Sequence, residues 1–229
     1  MSENSDKINT RADAINNKGR KLTDKQLLVY FYYLANSHRN PSGAEHYRYL
    51  YMKDINKTAF AAEAGMAIRT VRNAEIALEA VHYIEIDKEK RIIRIVDSPL
   101  YSWIPLNTLK NLVHLAHSFG GDLVRLYAAL HYYKAQPQEF SASTWVYAFG
   151  MSETHQSSYA RIQFLLYVLK LYGFIEYTEV KRTTTAHKSY IAYTDVKVIE
   201  PEELCEYDEA GAPLSKLAED YRKVLNLNP

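Results

Sequence analysis

Residues 60–86 read FAAEAGMAIRTVRNAEIALEAVHYIEI. Small apolar residues lead to Gly65, and a second apolar-periodic run follows in which Val71, Ala74, Leu78 and Val81 recur at spacings of three and four. That period buries one face of a helix, and Gly65 permits the sharp turn before it. Arg69, Thr70, Arg72 and Asn73 fall at the start of the second helix, off its apolar stripe. Arg can hold guanine N7 and O6 together, and Asn can do the same for adenine N6 and N7, so this face suits the major groove. Arg and Asn are equally ordinary on a solvated helix, so the stretch by itself leaves both readings open.

An echo further along the chain tips the balance. Thr23 to His38 (TDKQLLVYFYYLANSH) starts with a good N-cap and places Leu27, Tyr30, Phe31 and Leu34 at helical spacing. Asp122 to Lys134 (DLVRLYAALHYYK) shows the same stripe at Leu123, Leu126, Tyr127 and Leu130. Each run leads through a polar loop and a short candidate strand to a helix ending in Gly-Met, FAAEAGM at 60–66 and WVYAFGM at 145–151. A longer helix follows each, closing in HYIEI (82–86) or GFIEY (173–177). Ile84 to Asp87 and Arg91 to Val96 flank a charged turn, and Phe174 to Val180 and Ser189 to Val198 flank KRTTTAHK, both hairpin patterns. Helix, strand, helix, turn, helix, hairpin is the winged helix order, and it occurs twice. The expected fold is mainly α with small β-hairpins (α+β), as two tandem winged helix-turn-helix domains.

The expected boundaries are a flexible basic arm over 1–21, a first winged helix over 22–97, a linker and bridging helix over 98–121, a second winged helix over 122–199, and an acidic tail over 200–229. Asp97 to Pro105 (DSPLYSWIP) reads as the linker, and Asn107 to His117 as the bridging helix. Lys18, Arg20 and Lys21 would make the arm a DNA contact. In the tail, Leu214, Leu217, Tyr221 and Leu225 predict a short amphipathic helix that docks on the body or on a partner.

Charge is divided along the chain. Net charge is +1 over 229 residues, but eight acidic residues against three basic ones give Glu200–Pro229 a charge of −5 and leave +6 on residues 1–199. A moderately basic body is compatible with a polyanion partner. No run of 18 apolar residues occurs, so no membrane span is expected. The polar N-terminus lacks a signal-peptide core, and the single cysteine, Cys205, suits a reducing compartment. The expectation is a cytoplasmic protein.

The hairpins supply further candidate contacts. Lys88, Lys90, Arg91 and Arg94 make the first one basic, with Glu85, Asp87 and Glu89 interleaved. The second carries Lys181, Arg182, His187 and Lys188 with no acid among them, which favours it for phosphate contact. Before it, His155, Gln156, Ser157, Ser158 and Arg161 precede or open a helix whose Ile162, Leu165, Leu166 and Leu169 face inward.

The run GMAIRTVRNAEIALEAVHYIEI resembles winged helix-turn-helix proteins, whose pattern Gly-x-x-x-x-Thr-Val-x-x-x-x-x-x-Leu-x-x-x-Gly-x-Ile is kept at Gly65, Thr70, Val71, Leu78 and Ile84. His82 stands where that pattern has a second Gly; Gly173 fills the matching place in the second copy. Two such units joined by Trp103-Ile104-Pro105-Leu106, with Leu109 and Leu112 after it, look like the replication initiators of plasmids and related mobile elements. The resemblance covers roughly residues 22–199 and implies one domain for dimerisation and one for origin repeats.

The chain has neither a Gly-x-x-x-x-Gly-Lys-Ser/Thr phosphate cradle nor a Gly-x-Ser-x-Gly elbow. His114 and His117 could share a helix face, with His131 the one further neighbour that could join them at a metal; polar residues on the solvent side of the bridging helix is the favoured reading. The 20 tyrosines read chiefly as packing, with stacking on unpaired bases as the alternative. The expectation is therefore a non-enzymatic, sequence-specific double-stranded DNA-binding protein without cofactor or metal. A replication initiator comes first. A transcriptional regulator of a mobile element, or an interaction scaffold of the segregation type, is the alternative. A homodimer, and a protein partner for the C-terminal helix, are left open.

Overall fold

The computed structural model describes residues 7–11, 22–39, 47–96, 101–134 and 139–203, together with Glu219, Asp220 and Lys223. Among them, seven α-helices and three small antiparallel sheets make a mixed α/β fold. No helix among the described residues is long and apolar enough to cross a membrane.

The first half begins with α1 (Asp24–Ala35), opened by a capping box in which Thr23 N donates to Gln26 Oε1 at 2.7 Å and Gln26 N donates to Thr23 Oγ1 at 3.3 Å. The strands β2 (His38–Arg39) and β3 (Arg48–Tyr51) follow, then a 3-10 turn at Met52–Asp54. Next come α2 (Lys57–Glu63), α3 (Ile68–Ala80), β4 (Ile84–Asp87) and β5 (Ile92–Ile95), with strand order β2-β3-β5-β4. The second half repeats the succession with α5 (Gly121–Tyr132), β7 (Phe140–Ser141), α6 (Ala142–Ala148), α7 (Gln156–Leu171), β8 (Ile175–Thr183) and β9 (Ser189–Val198). Its order, β7-β9-β8, is that of β3-β5-β4.

Local chemistry explains the likeness. Four helices end in one device, a residue at positive φ followed by a backbone hydrogen bond reaching back five residues. Gly65 (φ 59°) and Gly150 (φ 63°) end α2 and α6, and the N–H groups of Met66 and Met151 return to Ala61 O (2.7 Å) and Val146 O (3.0 Å). The repeated Gly-Met is this turn. His82 (φ 57°) and Gly173 (φ 72°) end α3 and α7, with Tyr83 N to Leu78 O at 2.9 Å and Phe174 N to Leu169 O at 2.8 Å. His82 thus takes the left-handed conformation its Gly counterpart takes, at a cost of about 1 kcal/mol. The residue after each turn plugs the core: Tyr83 meets Tyr30 of α1 edge-on at 5.1 Å, and Phe174 meets Tyr127 of α5 edge-on at 5.7 Å.

The halves share one core. α1 packs on α3, α4 (Leu106–Phe119) and α5, and α5 also touches α7. Helix α5 is buried from Gly121 to His131. At its start, a Cβ on Gly121 would press on the Leu28 backbone N and lie 2.7 Å from Asp24 O, so α1 and α5 meet backbone to backbone. The expected bridging helix is therefore part of the core, with Leu109, Leu112, Leu115 and Phe119 fully buried.

Three expectations about the connections change. Within the expected arm and linker, β1 (Lys7–Arg11) pairs antiparallel with β6 (Tyr101–Pro105), Ile8 opposite Ile104, and both isoleucines are fully buried. Lys18, Arg20 and Lys21 lie outside the described residues. The second hairpin is longer than expected, because Lys181, Arg182 and Thr183 continue β8 by pairing with Ile191, Tyr190 and Ser189. The start of the acidic tail is fastened down: Tyr127 Oη donates to Ile199 O at 2.8 Å, His131 Nε2 lies 2.7 Å from Glu200 Oε1, and Asn111 Nδ2 donates to Glu202 O at 3.2 Å. Of the expected tail helix, Glu219, Asp220 and Lys223 are described and helical, with Lys223 Nζ 3.0 Å from Asp220 Oδ1; Leu214, Leu217, Tyr221 and Leu225 lie outside the described residues.

Candidate nucleic-acid interface

Helix α3 carries the first group of candidate side chains. Its inner face, Val71, Ala74 and Leu78, is buried, together with Glu75. Glu75 Oε1 accepts from Tyr33 Oη at 2.5 Å and sits 2.6 Å from Lys57 Nζ, so one buried carboxylate ties α3 to α1 and α2. Burial, reinforced by Glu75, pushes the Tyr33 hydroxyl well above the usual phenol range. With the inner face fixed in this way, Arg69, Arg72 and Asn73 are exposed and Thr70 is half-buried. Ile76, one turn further on, is 66 % exposed.

Capping differs between the helix starts within each half. Thr23 and Asn56 cap α1 and α2 through their side chains, Asn56 Oδ1 accepting from Ala59 N at 3.0 Å. Ala67 and His155, at the caps of α3 and α7, make no side-chain cap hydrogen bond. At both starts a backbone amide turns instead to the cap carbonyl, Thr70 N to Ala67 O at 2.8 Å and Ser158 N to His155 O at 3.0 Å, and the first-turn amides before it have no side-chain cap. Such a terminus attracts anions.

In the first hairpin, Lys88, Lys90 and Arg91 are exposed at a turn closed by Lys90 N donating to Asp87 Oδ1 at 2.9 Å. Arg94 does not join them. Its guanidinium lies 4.9 Å above the Tyr47 ring and 3.9 Å from Asp87, on the face of the sheet.

The second hairpin is a different object. Residues 181–190 are all exposed, which makes it a projecting arm. A bulge sets its angle: Thr178 pairs with Thr194 and Glu176 with Lys197, so Asp195 (φ 54°) and Val196 together oppose Tyr177. The tip closes at Thr184 and Lys188, Thr184 N donating to Lys188 O at 2.9 Å. Lys181 and Lys188 point to solvent. Arg182 meets an acid that the hairpin's own composition hides, its Nε 3.2 Å and Nη2 3.3 Å from the Glu139 carboxylate. Both side chains are about half exposed, and an ion pair of that kind holds less than about 1 kcal/mol. Arg182 can therefore exchange Glu139 for another anion.

Between this hairpin and α7 runs a groove of about 780 Å³, lined by Ser141, Ser143, Tyr159, Gln163, Lys188 and Tyr190 among others. His155 and Gln156 are exposed at the head of α7, and Ser157 and Ser158 are half-buried there.

Arg161 departs from expectation. It points into the protein, its Nη2 2.7 Å from Asp122 Oδ2 and 3.0 Å from Asp24 Oδ1. Asp24 Oδ1 also accepts from Asp122 N at 2.8 Å, and Arg125 Nη1 stands 3.7 Å from Asp122 Oδ1. Burial and the neighbouring Asp122 push the Asp24 carboxyl up to about 6, against the pull of Arg161. Two carboxylates brought together where α1 and α5 meet need a cation, and Arg161 supplies it. The residue belongs to the joint between the halves.

Of the histidines, His114 is exposed on α4 as expected, and the other two turn inward. His117 is half-buried against the Phe60 ring, with Nδ1 3.5 Å from Glu63 Oε2, and burial lowers its pKa. His131 is under Glu200. No group of three His, Cys, Asp or Glu among the described residues is arranged to hold a metal.

Sequence reading missed Ile76, Gln163, Tyr190, Ser141 and Ser143. Extending the outward face of each helix by whole turns would have found the first two, since Arg69, Arg72 and Ile76, like Gln156 and Gln163, recur at helical spacing. The groove serines are brought together by tertiary packing and carry no local signal. Compared with known proteins, the chain matches no family model, no curated protein and no solved structure.

Proposed function

We propose that the chain is two tandem winged helix-turn-helix domains and binds double-stranded DNA sequence-specifically, as a replication initiator of a plasmid or mobile element. The observation that carries the reading is the repeated helix–turn–helix–hairpin unit whose outward elements hold cations in both copies. In the first copy Arg69, Arg72 and Asn73 supply base-edge donors and acceptors on an uncapped helix. In the second, Lys181, Arg182 and Lys188 line an exposed arm suited to phosphate. Ile76, between two polar turns of α3, would meet a thymine methyl.

A scaffold role has one observation in its favour. Tyr147 on α6 and Tyr167 on α7 are 63 % and 47 % exposed, and such rings suit a protein partner as well as a dimer interface.

A gel shift on duplex DNA from around the protein's own gene tests the proposal. Specific binding that weakens steeply with salt is expected. Arg72→Ala should narrow the gap between specific and random duplex, and Lys181→Ala should weaken both alike. No specific complex at modest salt would leave the scaffold role as the better account.

A further inference from the structure

The stretch YRYLY, residues 47–51, is Tyr47 followed by β3, and the duplex contacts do not use it. Its alternation is complete: Arg48 and Leu50 are buried, while Tyr47, Tyr49 and Tyr51 lie on the opposite face. Arg48 turns inward to Ser37, its Nε donating to Ser37 Oγ and its Nη2 to Ser37 O, each at 2.8 Å. On the outer face the tyrosines form a ladder, with ring centres 6.1 Å apart from Tyr47 to Tyr49 and 5.3 Å from Tyr49 to Tyr51. His38, paired with Tyr49 across β2, extends the row at 6.0 Å.

Two cations lie against this ladder. Arg94 lies over Tyr47, and Lys53 Nζ is 5.5 Å from the Tyr51 ring. The acids Glu85 and Asp87 are on β4, on the far side of Arg94 from the tyrosines, with Glu85 opposite Arg94 and Asp87 Oδ2 3.9 Å from its Nη2. Sheet faces turned to water ordinarily carry mixed polar residues, and the fold itself asks for no aromatic row here. The matching strand of the second half, β7, is two residues long, with Phe140 buried and Ser141 half-buried.

We propose that the outer face of β3, with Tyr47, Tyr49 and Tyr51 as stacking platforms and Arg94 and Lys53 as phosphate contacts, binds an unpaired nucleic-acid strand. Neighbouring rings stand edge to face, at 60° and 87°, so each tyrosine offers a base its own π-face without regard to sequence, and flanking cations follow the backbone. A duplex hides its base faces, so this surface discriminates strand state. The inference stands on the first sheet alone and is independent of the duplex reading.

Fluorescence anisotropy with a short labelled oligodeoxythymidine, its uridine counterpart and a duplex tests it on the full chain. The wild type should bind the single strands at low salt; equal binding of the two strands means no recognition of the sugar, and either strand alone suffices. Tyr49→Ala should weaken single-strand binding by roughly tenfold, with duplex affinity unchanged. Tyr49→Phe should bind like wild type, because stacking needs the ring and not the hydroxyl. Tyr49→Leu keeps apolar bulk on a strand and should bind like Tyr49→Ala; wild-type affinity in that variant would overturn the proposal. Absence of single-strand binding by the folded wild type would do so too. A wild-type dimer converted to monomer by Tyr49→Ala, seen in sedimentation equilibrium, would reassign the face to contact between copies.

Discussion

Two halves of this chain share a topology and differ in almost everything they show to solvent. Both have an edge-on aromatic pair behind the last helix turn, left-handed turns after the last two helices, and a hairpin whose second strand lies inside the sheet. Outside that frame, the first half has a short hairpin with four-residue strands and a tyrosine row. The second has strands of nine and ten residues that project as an arm. The frame uses few positions, and those sit inside or at turns. Surface chemistry is therefore free to diverge, and the difference between the surfaces carries the functional information.

The joint between the halves offers the largest test. Gly121→Val would drive a side chain into the α1 backbone, and a loss of about 3 kcal/mol or more is expected. Thermal melting followed by circular dichroism should show a single transition lowered by roughly 6–12 °C. Two separate transitions would mean that the halves fold as independent units.

The hairpins come next. Replacing Lys181, Arg182 and Lys188 together with Ala should weaken duplex binding by roughly ten- to a hundredfold at modest salt, with a shallower salt slope. The same treatment of Lys88, Lys90 and Arg91 should cost less, because Asp87 and Glu89 already offset the first turn. Equal losses would erase the division of labour between the hairpins.

A smaller effect separates the helix ends. His82→Gly should stabilise the protein by about 1 kcal/mol and Gly173→Ala should destabilise it by a similar amount, both read from urea unfolding. A Cβ at Gly173 meets nothing within 4 Å, so the cost there is backbone conformation alone.

A pH effect belongs to the joint as well. A carboxyl held at about 6 when folded, above its ordinary 3.8, binds its proton more tightly in the folded state. Its contribution to stability is complete below about pH 4 and is lost as pH rises through about 6. Asp24→Asn should flatten the decline in melting temperature over that interval, and an unchanged profile would place the titration on another group.

Much of the frame can be read directly from residues. Gly-Met after small apolar helices marks real turns, Thr23 marks a real cap, and Leu27, Tyr30, Phe31 and Leu34 mark a real buried stripe. What escaped depends on partners far off in the chain. KINTR has a single large apolar residue, Ile8, and no alternation to announce a strand; it becomes one by pairing with β6. Arg161 sits at the head of a helix like any groove-facing arginine, and only the meeting of Asp24 with Asp122 turns it inward. Lys181 to Thr183 read as loop because they are polar, yet their hydrogen-bonding partners across the hairpin make them strand.

The pairing of β1 with β6 has a consequence for how the chain comes together in time. Ile8 and Ile104 face each other across nearly the whole of the first half, so the amino-terminal strand leaves the ribosome long before its mate is made. Closing so long a loop is entropically unfavourable, and non-local strand pairing is slow relative to local helix formation. The helices of the first half can assemble as they emerge, whereas residues 7–11 must wait. Docking of the chain's beginning is then a late step of biogenesis, and an unclosed β6 edge is the surface a newly made molecule has to shield until then.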